Sequence, residues 1–205
     1  MPASPLVIYK PYILAIILTF YSPIIVAIIV FSMSFIFQNP KGIIYLLWII
    51  VLTWFRSLGY EMAGASENTK DANDICNMVQ YSKYGNSTFS MFFIAFTMVY
   101  ICGPMILNKS INWWVLSGFL FYLFLDIGIR VSLFCTKSTT LIVLNIILGM
   151  IAGIIALTTM YSAKLYNYIF FNESSSDKDV CSMPTKQTFR CKVYKNGTLV
   201  GTTNA

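Results

Sequence analysis

Five stretches of this 205-residue chain carry no charged side chain: residues 11 to 40, 42 to 55, 84 to 108, 110 to 125 and 138 to 163. At about 1.5 Å of rise per helical residue, roughly 20 apolar residues cross a hydrocarbon layer of about 30 Å. The pattern predicts five membrane spans, at 12–36, 42–60, 88–107, 112–134 and 139–164. The second needs Arg56 to Tyr60 to reach full length, and an arginine near a helix end can extend its head to the interface. A chain in lipid must satisfy its own backbone hydrogen bonds, and connections this short suit helices better than the strands of a barrel. The expected fold class is all-α, a multi-pass transmembrane helical bundle. A composition of 57% hydrophobic and 11% charged residues, with a mean hydropathy of +0.69, leaves too little polar surface for a water-soluble helical protein.

The first apolar run is about twice the usual length of a signal-peptide core and no small-x-small cleavage site follows it, so it is expected to stay in the mature protein. Ser22-Pro23 in its middle predicts a kink, because proline removes a backbone donor. Trp48, Trp54, Trp113 and Trp114 are expected near helix ends, as interfacial anchors.

Outside the bundle, expected over residues 1–164, only the polar loop 61–87 and the C-terminal segment are more than connectors. With an odd number of spans they fall on opposite faces. Residues 165–179 read as a linker with a Ser-rich, acidic stretch. Residues 180–205 read as an extramembrane β-hairpin tail, with β-prone alternation around Asn196-Gly197 signalling a type I′ turn. Cys181 and Cys191 bracket the first strand and are either a disulfide or two unrelated thiols. Basic residues flank the spans on both faces, so the positive-inside rule sets no orientation. The sequons at Asn86, Asn108, Asn172 and Asn196 also occur on both. The net charge of +6 is spread over both faces, which argues against a nucleic-acid surface, while the basic tail suits anionic lipid headgroups.

The segment Lys83-Tyr-Gly-Asn-Ser-Thr-Phe-Ser at the start of the third span resembles the second motif of the type 2 phosphatidic acid phosphatase (PAP2) family, Pro-Ser-Gly-His-Ser, which opens a membrane helix. Gly85 and Ser87 match, and Asn86 stands where the family has its acid/base histidine. The family's third motif is Ser-Arg, five residues, His, three residues, Asp. On this chain Arg130 matches, Thr136 occupies the position of the nucleophilic histidine, and Thr140 that of the aspartate. The following helix carries Gly149 and Gly153 in a small-xxx-small face. The first motif, Lys, six residues, Arg-Pro, falls on Glu61, Asn68 and Thr69, none of which matches. The resemblance covers roughly residues 50 to 160.

That resemblance implies a helical membrane core and a site for lipid phosphates. PAP2 catalysis passes through a phosphohistidine and needs a second imidazole, yet this chain contains no histidine. A threonine hydroxyl needs an adjacent base to become nucleophilic, and none is evident beside Thr136. The resemblance therefore implies a pseudoenzyme.

No other catalytic constellation is present. Cys76, Cys102, Cys135, Cys181 and Cys191 form no C-x-x-C, and there is no P-loop, G-x-G-x-x-G or G-x-S-x-G, so no cofactor or metal is expected. Cys76 and Cys135 approach each other only if the second and fourth loops meet, and are expected as thiols. The acidic and amide residues of loop 61–87 lack the alternating register of a calcium loop, so it is expected to be a solvated lid. Asp126 and Arg130, one helical turn apart, are expected to form a structural ion pair.

These readings lead to an expected non-catalytic integral membrane protein, a structural or scaffolding subunit whose partners are membrane lipids and other protein subunits of a larger membrane assembly. The Ile-, Asn- and Lys-rich composition suits an AT-rich genome, such as that behind an organellar complex or a membrane-containing large DNA virus. The alternative is a lipid or lipid-phosphate binding protein in which Arg130, Lys137 and Lys83 hold a headgroup. An active lipid phosphatase is the third reading.

Overall fold

The computed structural model describes residues 11–36, 38–64, 74–136, 138–171, 190–195 and 198–204. Six helices follow in order: α1 (Pro11–Phe20), α2 (Ser22–Ile36), α3 (Lys41–Met62), α4 (Phe89–Leu107), α5 (Trp113–Ser132) and α6 (Thr139–Ser162). Four segments, Lys41–Met62, Asn86–Leu107, Trp113–Ser132 and Thr139–Ser162, are long and apolar enough to cross a membrane. The first apolar run is broken: α1 and α2 meet at 71° and reach that length and hydropathy only when taken together, as a broken span or a re-entrant pair. The break falls where proline chemistry places it. Pro23, second residue of α2, has no N–H to return to the carbonyl one turn back, so the ladder stops at Tyr21 N to Ile17 O and restarts at Ile25 N to Tyr21 O.

Helix α4 is the centre of the bundle. The apolar window of the segment it forms is 72% buried, against 17% for α3 and for α5, so α4 is wrapped by the others while α3 and α5 turn most of their apolar surface outward. Phe89, Phe92, Phe93, Phe96 and Tyr100 supply its core side chains. Gly149, Ala152, Gly153 and Ala156 of α6 are buried, and their small size lets two backbones approach. A Cβ added at Gly149 would collide with the carbonyl oxygen of Phe92, and one at Gly153 would lie 2.8 Å from Val99 Cβ. Polar braces cross the same core: the hydroxyls of Tyr45 and Thr97 are 2.8 Å apart, and Thr97 also donates to Phe93 O at 2.8 Å.

Four helices end without glycine. Gln38, Lys109, Phe134 and Lys164 take the left-handed conformation, with φ from 50° to 56°. In each case the next residue's N–H reaches back to a carbonyl of the last turn, as in Cys135 N to Arg130 O at 2.9 Å and Leu165 N to Met160 O at 3.0 Å. Trp113 and Trp114 open α5, where the Asn112 side chain accepts from the N–H groups of Trp114 and Val115. Trp48 and Trp54 lie within α3 rather than at its ends, and Trp48 packs against the main core. The expectation that all four tryptophans mark interfaces is corrected for these two.

The chain from Ser174 onward forms a second compact unit. Its described part is an antiparallel hairpin, β1 (Arg190–Lys195) with β2 (Thr198–Asn204), paired from Arg190↔Asn204 to Lys195↔Thr198 with an irregularity at Val193/Tyr194. The turn residues Asn196 and Gly197, and Cys181, lie outside the described residues.

The α4/α6 contact is open to test by a pair of substitutions. Gly149→Ala should destabilise the bundle by about 1–3 kcal/mol through overpacking. Gly128→Ala, where an added Cβ meets nothing within 4 Å, should be neutral or stabilising. Thermal unfolding of both variants in detergent distinguishes the two positions.

Candidate functional site

Four of the positions named from the resemblance, Gly85, Asn86, Ser87 and Arg130, meet at the turn that leads into α4. Asn86–Thr88 forms one turn of 3₁₀ helix, and Gly85 precedes it at φ +57°. A side chain at Gly85 would be strained by that φ and would approach both Arg56 Nη2 and Tyr60 Cζ to 3.0 Å. Glycine at this position therefore has a double cause, backbone conformation and close approach.

Two guanidinium groups, from helices on either side, hold this turn by its carbonyls. Arg56 of α3 is only 7% exposed. It donates from Nη2 to Gly85 O at 2.9 Å and to Asn145 Oδ1 at 3.0 Å, and from Nη1 to Tyr84 O at 3.3 Å. Nε also donates to Asn145 Oδ1 at 3.3 Å, and Nη2 lies 3.4 Å from Thr88 Oγ1. The rings of Tyr60, Phe89 and Phe92 lie 4.8, 5.3 and 5.5 Å from its central carbon. Asn145, fully buried in α6, donates to the Tyr60 hydroxyl and to Leu141 O, each at 2.8 Å. Arg56 does not extend to the interface; it turns inward because the carbonyls at the start of α4 and the Asn145 amide offer acceptors inside the bundle.

Arg130 of α5 is 2% exposed and Asp126 is fully buried. Their side chains form an ion pair, Nε to Oδ1, at 3.3 Å. Ser90 of α4 donates to the other carboxylate oxygen at 2.6 Å, and Arg130 Nη1 donates to Ser87 O at 3.1 Å. The Phe20 ring covers the guanidinium at 4.8 Å. Arg130 is thus held inside the protein by a carboxylate, a carbonyl and a ring.

Asn86, at the position of the family's histidine, braces its own loop. Its Nδ2 donates to Val79 O, and its Oδ1 accepts from Tyr81 N, both at 2.8 Å. Tyr81 stacks on Phe89 at 5.2 Å and donates its hydroxyl to Phe20 O at 2.7 Å. Burial pushes the Tyr81 phenol up to about 12, which keeps it a donor.

The other described motif positions do not join this cluster. Thr136 Oγ1 is buried with no hydrogen-bond partner, and Thr140 is exposed, beside Thr139 and Val143 on the outside of α6. Glu61 is exposed at the end of α3, and Lys83 lies on the rim of a shallow groove with Ser57 and Trp54. Asn68, Thr69 and Lys137 lie outside the described residues. Conversely, Arg56, Tyr60, Ser90 and Asn145 belong to the cluster without having been singled out as site residues. A lone Asn in an otherwise uncharged span was the one available signal for the last.

Cys76 and Cys135 are joined in a disulfide with Cα atoms 5.5 Å apart, which corrects the expectation of free thiols. The left-handed Phe134 turns the chain back over Arg130 and presents Cys135 to the 3₁₀ turn Asp74–Asn77. The bridge packs with Ile16, Phe20, Ile129 and Leu133. Among the described residues, no three His, Cys, Asp or Glu side chains lie close enough to share a metal ion.

No family model matches the sequence, and no curated protein or solved structure matches it either.

Two outcomes follow from this geometry. Asp126→Asn leaves a buried guanidinium without its counter-charge and should cost about 3–5 kcal/mol, and adding Arg130→Gln should recover part of that loss. Unfolding in detergent by heat measures both. Replacing Cys76 and Cys135 by serine should lower stability by about 2–4 kcal/mol, with the linked 76/135 peptide lost from a non-reducing digest.

Proposed function

We propose that this chain is a non-catalytic integral membrane protein with a PAP2-like helical core, serving as a structural or scaffolding subunit of a larger membrane assembly. The observation that carries this reading is the use made of the motif positions. Arg130 is committed to Asp126 and Ser87 O, and Asn86 to Val79 and Tyr81, so the groups that would act on a phosphate ester instead hold the bundle together. The absence of histidine from the sequence removes the nucleophile and the proton carrier on which PAP2 chemistry depends. The outward apolar faces of α3 and α5 supply surface for lipid and for neighbouring helices.

A second reading, a lipid-phosphate binding protein, is favoured by one observation. Among the described residues the acceptors of Arg56 are all neutral, and it borders an apolar groove of about 540 Å³ lined by residues of α3, α4 and α6, including Trp48, Phe92 and Leu148. A chain lying in that groove with an anionic headgroup beside Arg56 would supply a counter-charge.

Purification from the native membrane in mild detergent should yield the protein with stoichiometric protein partners, and without release of phosphate from phosphatidic acid or a prenyl diphosphate. Phosphate release lost on Arg130→Ala would overturn the non-catalytic reading. Native mass spectrometry decides the second: a phospholipid retained by the protein and displaced by Leu148→Trp, which fills the groove, supports it, and a lipid-free protein rules it out.

A further inference from the structure

The disulfide supplies the asymmetry that the charges withhold. The connectors of the bundle fall into two sets. One set, formed by the segment between α3 and α4 and the segment between α5 and α6, carries Cys76 and Cys135 and is joined across the top of the Arg130 cluster. The other is formed by residues 38–40, 108–112 and 163–171, where Asn108 Nδ2 donates to Phe171 O at 3.5 Å. Among the described residues, the exposed lysines beside these connectors are Lys83 in the first set and Lys109 and Lys164 in the second, too small a difference for the positive-inside rule to set an orientation. Lys41, Arg56 and Arg130 drop out of that count because all three are buried inside the bundle.

A bond between two cysteines 59 residues apart forms and persists where thiols are oxidised. We infer that the face bearing Cys76–Cys135 is turned toward an oxidising compartment, and that the 38–40 and 108–112 connectors and the end of α6 face the reducing side. Bond formation passes two electrons and two protons from the two thiols to an exchanging protein disulfide, which leaves as a dithiol. That carrier must reach Cys76 and Cys135 from the same side of the membrane, before the bridge is buried against Ile16 and Phe20. The free cysteine of the helical unit, Cys102, is buried within α4 and offers no competing exposed thiol.

The assignment has consequences for modification. The sequon at Asn86 lies on the oxidising face, but its amide is buried and bonded to Val79 O, so it is closed to glycan transfer in the folded protein. The sequon at Asn108 lies on the reducing face. The orientation also sorts partners: those meeting the turn into α4 come from the oxidising compartment, and those meeting Lys109 and Lys164 from the other.

This inference rests on the reading that the apolar helices cross a membrane, and the test separates the two. In a C181S/C191S background, Gln80→Cys and Lys164→Cys, both at exposed positions, are expressed singly and probed with a membrane-impermeant maleimide in sealed microsomes, cytosolic side outward. The expected result is immediate labelling at position 164, labelling at position 80 only after detergent is added, and a linked 76/135 peptide in the non-reducing digest. The reverse labelling pattern, or reduced Cys76 and Cys135 in protein that resists alkaline carbonate extraction, overturns the orientation. Release of the protein by carbonate would instead overturn the membrane reading beneath it.

Discussion

The structure depends on the grip of two buried arginines on the backbone at the start of α4. A helix start leaves N–H groups unpaired, and the turn that leads into it leaves carbonyls pointing into the bundle. Arg56 satisfies those of Tyr84 and Gly85, and Arg130 satisfies that of Ser87. A buried guanidinium is costly unless it is paired and hydrogen-bonded; Arg56 has four acceptors and three aromatic rings around it, and Arg130 has the Asp126 carboxylate, Ser87 O and the Phe20 ring. The same contacts fix α3 and α5 against α4, and Asn145 brings α6 to the same point. Four helices are therefore registered around one turn.

The rest of the bundle builds on that registration in two chemically different ways. In a hydrocarbon layer apolar burial gives little preference for one helix neighbour over another, so close packing decides, and Gly149 and Gly153 let α6 lie against the α4 backbone. At the polar end, where water competes for hydrogen bonds, a covalent tie takes over. The Cys76–Cys135 bridge fastens the loop from α3 to the end of α5 and closes it over Phe20 and Arg130. Phe20, packed against the bridge, in turn covers the Arg130 guanidinium.

Several features were legible in the chain before any fold was known, and each has a local cause. The apolar runs follow from composition alone, and the break between α1 and α2 follows from the missing donor of Pro23. The spacing of Asp126 and Arg130 gives their pairing on one helix face. Others were not legible because their causes are distant in sequence. Arg56 sits close enough to the end of its run to suggest an interfacial position, and only acceptors from residues 84–88 and 145 explain why it turns inward. Helix ends at Gln38, Lys109, Phe134 and Lys164 lack the glycine that would announce them. Cys76 and Cys135 carry no spacing signal, since their approach depends on how α3, α4 and α5 are arranged.

By itself, the sequence determined that the chain forms apolar helices of membrane-spanning length, that the first run bends, and that histidine chemistry is absent, because hydropathy, proline geometry and residue inventory are local properties. Only the tertiary structure decided which charges are buried together, which cysteines meet, and that Asn86 braces a loop. Those outcomes depend on acceptors and partners contributed by other helices, and a side chain's role in a bundle is set by what the neighbouring backbone leaves unsatisfied.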